Sequence, residues 1–109
     1  KKCFMKIIRA MIRPEREAQV LSSLETAGFY AITKVPVLGR GQQRGIQVGA
    51  VSYDELAKLM LILGVEDADC PRAVQAIEEA AHTGHPGDGK IFIQEIRQVY
   101  TIRTGRQEL

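Results

Sequence analysis

Lys6-Ile7-Ile8-Arg9-Ala10-Met11-Ile12-Arg13-Pro14 alternates along its whole length. In an extended chain Ile8, Ala10 and Ile12 fall on one face, and Ile7, Arg9, Met11 and Arg13 on the other. Pro14 then opens a helix, because its missing N–H lies among donors that a first turn leaves free. Glu15 and Glu17 place negative charge at that helix's N-terminus. Val20, Leu21, Leu24 and Ala27 repeat at helical spacing, and Gly28 is the expected C-terminal stop. A second strand is expected over Phe29–Leu38, rich in the β-branched Ile32, Thr33, Val35 and Val37. Pro36 inside it requires a free edge or a bulge, since proline donates no ladder bond.

The second half repeats this grammar. A strand is expected from about Lys58 to Val65. A helix follows, with Asp69 as its cap, Pro71 in its first turn, Val74, Ile77 and Ala81 as its apolar stripe, and Gly84 at its end. Lys90–Ile96 reads as a fourth strand and Val99–Arg103 as a short fifth. The order strand-helix-strand, loop, strand-helix-strand predicts an α+β, ferredoxin-like βαββαβ sandwich: two helices on one face of a four-stranded antiparallel sheet. Leu59-Met60-Leu61-Ile62-Leu63 is apolar on both faces, so the sheet's open face needs cover. A second copy of the chain is the simplest cover, and self-association is expected.

Composition narrows the classes. With 109 residues, 45% hydrophobic and 26% charged, the chain suits a single globular domain over 1–109. A net charge of +2 does not by itself direct the chain to nucleic acid or to a membrane surface. Aromatic residues make up 6%, and the strands carry no paired stacking aromatics, which argues against an RNA-binding sheet. Cys3 and Cys70 have neither the spacing of a zinc site nor that of a disulfide framework, which fits free thiols in a reducing compartment. No apolar run approaches the ~20 residues of a membrane helix. A cytoplasmic location follows as an expectation.

Three segments carry candidate chemistry. Gly39 to Gly49 is glycine-rich and holds Arg40, Gln42, Gln43, Arg44 and Gln47. It reads as a long mobile loop, and loops of that length in small domains are usually functional. Thr83-Gly84-His85-Pro86-Gly87-Asp88-Gly89-Lys90 lets the backbone approach a ligand closely, and Lys90 adds a positive charge suited to phosphate. It is not a P-loop, because Ile91 stands where the magnesium-binding hydroxyl belongs and the segment leads into a strand. A plain helix-to-strand turn accounts for it equally well. Ile102-Arg103-Thr104-Gly105-Arg106 is a second basic cluster, or else a frayed tail over about 104–109. His82 and His85 form no ligand set, and His82 reads as a helix-end residue, while Glu66, Asp67 and Asp69 read as a solvated turn. A nucleotide hydrolase built on Gly87–Lys90 lacks an evident base to activate water.

Taken together these residues resemble a known family. Thr83-Gly84, Gly87-Asp88-Gly89-Lys90-Ile91-Phe92 and Ile102-Arg103-Thr104-Gly105 are similar to the two C-terminal signatures of the PII signal-transduction family. Met5-Lys6-Ile7-Ile8-Arg9-Ala10 and Ile12-Arg13-Pro14 resemble its first strand, with Lys1–Phe4 as an extension. Gly39, Gly41, Gln43, Arg44 and Gly45 resemble the base of its T-loop, here about 39–53.

The resemblance implies a trimer, homomeric or with a second PII-like chain, that binds ATP or ADP between subunits, and Mg2+-ATP with 2-oxoglutarate at the same place. It implies a regulator rather than an enzyme. Gly87, Asp88, Gly89 and Lys90 would cradle phosphates, with Gly41 and Gln43 also at the nucleotide, and Arg103 would reach in from a neighbouring subunit. Thr33 and the backbone near Gly64 would line the adenine side. Gln43 would help hold magnesium and 2-oxoglutarate, and Lys58 would pair with the distal carboxylate of 2-oxoglutarate.

Thr101 and Gln42 stand where the family usually has arginines. This implies weaker nucleotide binding or replacement by another arginine, Arg40 or Arg44. The T-loop is shorter than usual and has no tyrosine before Tyr53, so the usual uridylylation site is absent. Gly39–Gly49 followed by Tyr53-Asp54-Glu55-Leu56 resembles the nitrogenase-associated PII-like proteins. Their pattern implies a T-loop (Arg40, Arg44, Ile46, Gln47 and Val48) that docks on dinitrogenase, blocks its reductase and is released by 2-oxoglutarate with ATP. An ammonium channel or glutamine synthetase is the alternative target class.

Overall fold

The computed structural model describes residues 5–40, 46–48, 51–53 and 55–109. The alternating stretch is strand β1 (Met5–Ile12), with Ile8, Ala10 and Ile12 fully buried. Pro14–Arg16 form a 3-10 turn that leads into helix α1 (Glu17–Thr26). Gly28 ends the helix at φ +97°, where its N–H donates to the Glu25 carbonyl and that of Phe29 donates to Leu24. This pair of bonds is a Schellman motif. It also explains why the second strand starts later than Phe29. Residues 29–32 still belong to the helix exit, and strand β2 is Thr33–Arg40.

The four-stranded antiparallel sheet has the order β2-β5-β1-β6, with β5 at Glu55–Glu66 and β6 at Lys90–Ile96. Pro36 sits in an edge strand, as its missing donor demands. A second 3-10 turn, Asp67–Asp69, precedes helix α2 (Cys70–Ala81). Asp69 does not cap that helix; its carboxylate accepts from Arg72 Nη1 at 3.1 Å instead. The helix also stops before Gly84, with His82 already extended. The expected fifth strand at Val99–Arg103 is a turn, closed by a single bridge between Thr101 and Arg106. The segment expected as one long loop contains a small hairpin, β3 (Ile46–Val48) paired with β4 (Val51–Tyr53). Gly41, Gln42, Gln43 and Arg44 lie outside the described residues.

The helices cover one face of the sheet. Val20, Leu24, Ala73 and Ile77 pack there with Ile8, Ala10, Ile12, Leu59, Leu61, Leu63 and Val65. The helices are tied together by polar bonds. Arg16 forks onto the Ala80 carbonyl at 2.9 and 2.7 Å, Ser23 Oγ donates to Ala76, and Arg72 donates to Ala27 while lying over the Phe29 ring. On the opposite face Ile7, Met60 and Ile62 remain half-buried and Phe92 is exposed. The architecture is the expected ferredoxin-like α+β sandwich.

Candidate ligand-binding cleft

The sheet brings three strand ends together. Ile12 pairs with Leu59, and Met11 pairs with Lys90. Carried slightly beyond those pairs, the same registers set Arg13 opposite Lys58 on one side and opposite Asp88 on the other. The turn from α2 to β6 folds back over this end. Gly84, Gly87 and Gly89 all have positive φ, a region other residues adopt only under strain. A cleft of about 500 Å³ lies beneath the turn. One wall is cationic or backbone: Lys58, Gly87, Asp88, Gly89 and Lys90. The other is apolar: Met11, Leu38, Leu56 and Phe92.

The Asp88 carboxylate is turned away from any incoming ligand. It accepts from the Thr83 N–H at 2.8 Å, the Gly84 N–H at 2.9 Å, the Thr83 hydroxyl, and Arg13 Nε at 3.1 Å. These donors, the Thr83 hydroxyl first, hold its carboxyl far below the usual carboxylate range, so it stays ionised well into acid. Asp88 therefore organises the turn with its side chain and can meet a ligand only through its backbone. Lys58 Nζ donates to the Gly87 carbonyl. Burial, and then the neighbouring Arg13 charge, push the Lys58 pKa down. Such an ammonium gains by acquiring an anionic partner. Among the described residues no group of three His, Cys, Asp or Glu side chains could hold a metal.

The sequence-predicted residues divide between two ends of the sheet. Lys58 and Gly87–Lys90 share the cleft. Thr33 pairs with Ile62, four residues further along β5, and Gly64 pairs with Ile7 beyond that. At ~3.4 Å per residue these positions are about 14 and 20 Å from Lys58. A Cβ on Gly64 would sit 3.0 Å from the Leu109 side chain, so Leu109 packs at this far end. The reading from sequence quoted Arg13, Thr83 and Phe92 within motifs but gave them no site role, and it missed the apolar wall of Leu38 and Leu56. The alternation of β1 does place Arg13 on the face of Met11, which is the one signal that pointed to it.

Residues 5–106 match the family model described as nitrogen regulatory protein P-II. The chain belongs to the P-II family. It is 49% identical over 105 residues, 96% of its own length and all of the other, to "Nitrogen fixation nifHD region GlnB-like protein 1" of Methanothermobacter marburgensis. It is 48% identical over 105 residues to the nifHD2 region GlnB-like protein 1 of Methanosarcina barkeri, again spanning 96% of this chain and all of that one. These relatives match the nitrogenase-associated subgroup. The fold agrees with a crystal structure of Arabidopsis thaliana PII bound to citrate, with TM-score 0.80, 28% identity, and coverage of 98% of this chain and 88% of that one. P-II proteins are signal-transduction regulators rather than enzymes, and this chain is a PII-like nitrogen regulatory protein of the kind named for nitrogen-fixation regions. No helix among the described residues is long and apolar enough to cross a membrane.

Proposed function

We propose that this chain senses ATP or ADP together with 2-oxoglutarate and regulates nitrogenase, working in the cytoplasm as a trimer of single-domain subunits, homomeric or with a second PII-like chain. The observation that carries this is the cleft, where glycine backbone and two lysines face an apolar wall under one turn. The N–H groups of Gly87–Lys90 bind phosphate oxygens, and Lys90 supplies their counter-charge. The residues suit magnesium only in company with the ligand. Among the described residues lining the cleft the one carboxylate, Asp88, is engaged by Thr83, Gly84 and Arg13, so the ion would rely on phosphate oxygens and the Gln43 amide oxygen. Such an ion would supply positive charge to offset the phosphates and the 2-oxoglutarate carboxylate. Lys58 takes the distal carboxylate.

Thr33 and Gly64 lie about 14 and 20 Å along the sheet from Lys58, and they are assigned, with Arg103, to the ligand of the neighbouring subunit. This agrees with the half-buried apolar face of Met60 and Ile62, which needs a partner. Light scattering at micromolar concentration is expected to give a trimer or a larger assembly; a monomer mass would remove the shared site.

Arg40, Arg44, Ile46, Gln47 and Val48 form the docking segment for dinitrogenase. The names of the relatives support that target over an ammonium channel or glutamine synthetase. Capture of dinitrogenase by the full chain, reversed by 2-oxoglutarate with Mg2+-ATP, tests it.

Mg2+-ATP is expected to raise the melting temperature, by the equivalent of about 2.7 kcal/mol at a hundredfold excess over Kd, since it binds only the folded state. Lys90→Ala should shrink that shift more than Lys6→Ala does, because Lys90 lines the cleft whereas Lys6 is engaged with Asp67. Equal shifts in the two variants would contradict the phosphate role of Lys90.

A further inference from the structure

The turn over the cleft presents three successive carbonyls to two cations on neighbouring strands. Arg13 Nη2 donates to the Pro86 carbonyl at 2.8 Å and reaches that of His85 at 3.5 Å, while its Nε holds Asp88 at 3.1 Å. Lys58 takes the Gly87 carbonyl. The guanidinium packs so closely under the turn that a Cβ on Gly87 would lie 3.3 Å from Nη2.

The two cations differ in what they can release. Lys58 is the one that a ligand carboxylate recruits, and its single bond to Gly87 is given up or shared when it does. Arg13 is only partly exposed and spends its fork on the turn itself. We propose that Arg13 is the positioning residue of the cleft: by holding Asp88, His85 and Pro86 from the end of β1, it keeps the Gly87–Lys90 backbone in its binding geometry after Lys58 has turned to a ligand. This rests on the ligand reading given above and adds a residue to it.

Sequence puts Arg13 there for two reasons. The residue before a proline is held extended, and Arg13 has φ −67° and ψ 135°, so β1 delivers it straight past its last ladder pair. Lysine could not replace it, because an ammonium lacks the planar fork that reaches a carboxylate and a carbonyl together. The charge has a second effect. Lys58 faces Arg13 from β1, Glu15 from the 3-10 turn, and Asp88 and His85 from the turn above, with Lys90 of β6 in the same cleft. Val37 and Leu38 of β2 bring no charge. Arg13 is the neighbouring charge that lowers the Lys58 pKa most.

Geometry and charge separate in two variants of the full chain, Arg13→Lys and Arg13→Gln. Two quantities are measured: the ATP dissociation constant with magnesium by calorimetry, and the Lys58 side-chain titration by NMR without ligand. Both variants are expected to weaken ATP binding about tenfold or more, since each loses hydrogen bonds to charged or buried groups. Only Arg13→Gln should raise the Lys58 titration midpoint; Arg13→Lys keeps the charge and should leave it in place. If both variants bind ATP within twofold of wild type, the positioning role is overturned. An unmoved Lys58 midpoint in folded Arg13→Gln overturns the electrostatic half. If the wild-type chain binds no ATP, the ligand reading of the cleft falls instead, and the midpoint in ligand-free protein still decides whether Arg13 governs Lys58. Should Arg13→Gln fail to fold, the ATP constant of Arg13→Lys decides the positioning role alone.

Discussion

Gly89→Ala is expected to lower the melting temperature by more than about 10 °C and to abolish the Mg2+-ATP shift. Gly89 has φ +110°, and a Cβ built there would lie 1.8 Å from the Met11 carbonyl oxygen and 2.8 Å from its carbon. The obstacle is the backbone of β1, one of the two interior strands, so no rotamer change relieves it. Left-handed strain costs about 1–2 kcal/mol and an overpacked contact about 1–3 more. At roughly 4–8 °C per kcal/mol in a domain near this size, the loss is large. Gly28→Ala is the natural control. Gly28 has φ +97° but nothing within 4 Å of the Cβ position, so it reports strain without the clash. Melting of Gly89→Ala within about 3 °C of Gly28→Ala would show that the turn moves off β1 at little cost. The functional loss follows from the same geometry, because Gly89 can clear Met11 only by lifting the turn that roofs the cleft.

The fold was legible wherever one local rule decided it. Alternation located β1, Lys90–Ile96 was read at its true bounds, and Gly28 marked the end of α1 because a Schellman turn needs its positive φ. Misreadings fell where two local rules competed. Ile32 and Thr33 favour a strand, but the Phe29 N–H is already committed to Leu24, so β2 waits until Thr33. Val99–Arg103 has strand-like residues but joins neither edge of the sheet, and it closes on Arg106 instead.

For the site, glycine spacing marked Thr83–Lys90 as a loop of close backbone approach, because that is a property of residue type, whereas the role of Lys58 came from the family resemblance alone. The role of Arg13 was not legible, because it arises from register across three strands separated widely in sequence. The orientation of the Asp88 carboxylate was hidden for a related reason: Thr83, Gly84 and Arg13 converge on it only after α2 has turned. The separation of Thr33 and Gly64 from the cleft was hidden because it depends on where each pairs across the sheet, Thr33 with Ile62 and Gly64 with Ile7.

Lys58→Ala is expected to weaken 2-oxoglutarate binding about a hundredfold, a coupling near 3 kcal/mol, while leaving ATP affinity nearly intact. Lys58 meets the turn through the Gly87 carbonyl, an acceptor that plays no part in binding phosphate, so its removal takes a carboxylate partner and spares the cradle. The pH dependence has a definite sign. Burial and Arg13 hold the Lys58 pKa below the ordinary lysine value, so the charged form that binds a carboxylate is lost at lower alkaline pH than for a free lysine. In that alkaline window binding an anion favours the charged form and takes up protons, and this uptake should vanish in Lys58→Ala. Linkage makes the effect reciprocal: a partner that 2-oxoglutarate releases must weaken 2-oxoglutarate binding by the same factor. The decisive measurement is partner release against 2-oxoglutarate concentration at saturating Mg2+-ATP. Wild type should release its partner, and Lys58→Ala should hold it at concentrations about a hundredfold higher. Release at the same concentration in both would place the effector site elsewhere. If neither responds while both bind ATP, the cleft serves adenine nucleotides alone, and the Lys58 ammonium exists to hold Gly87 rather than to read a carboxylate.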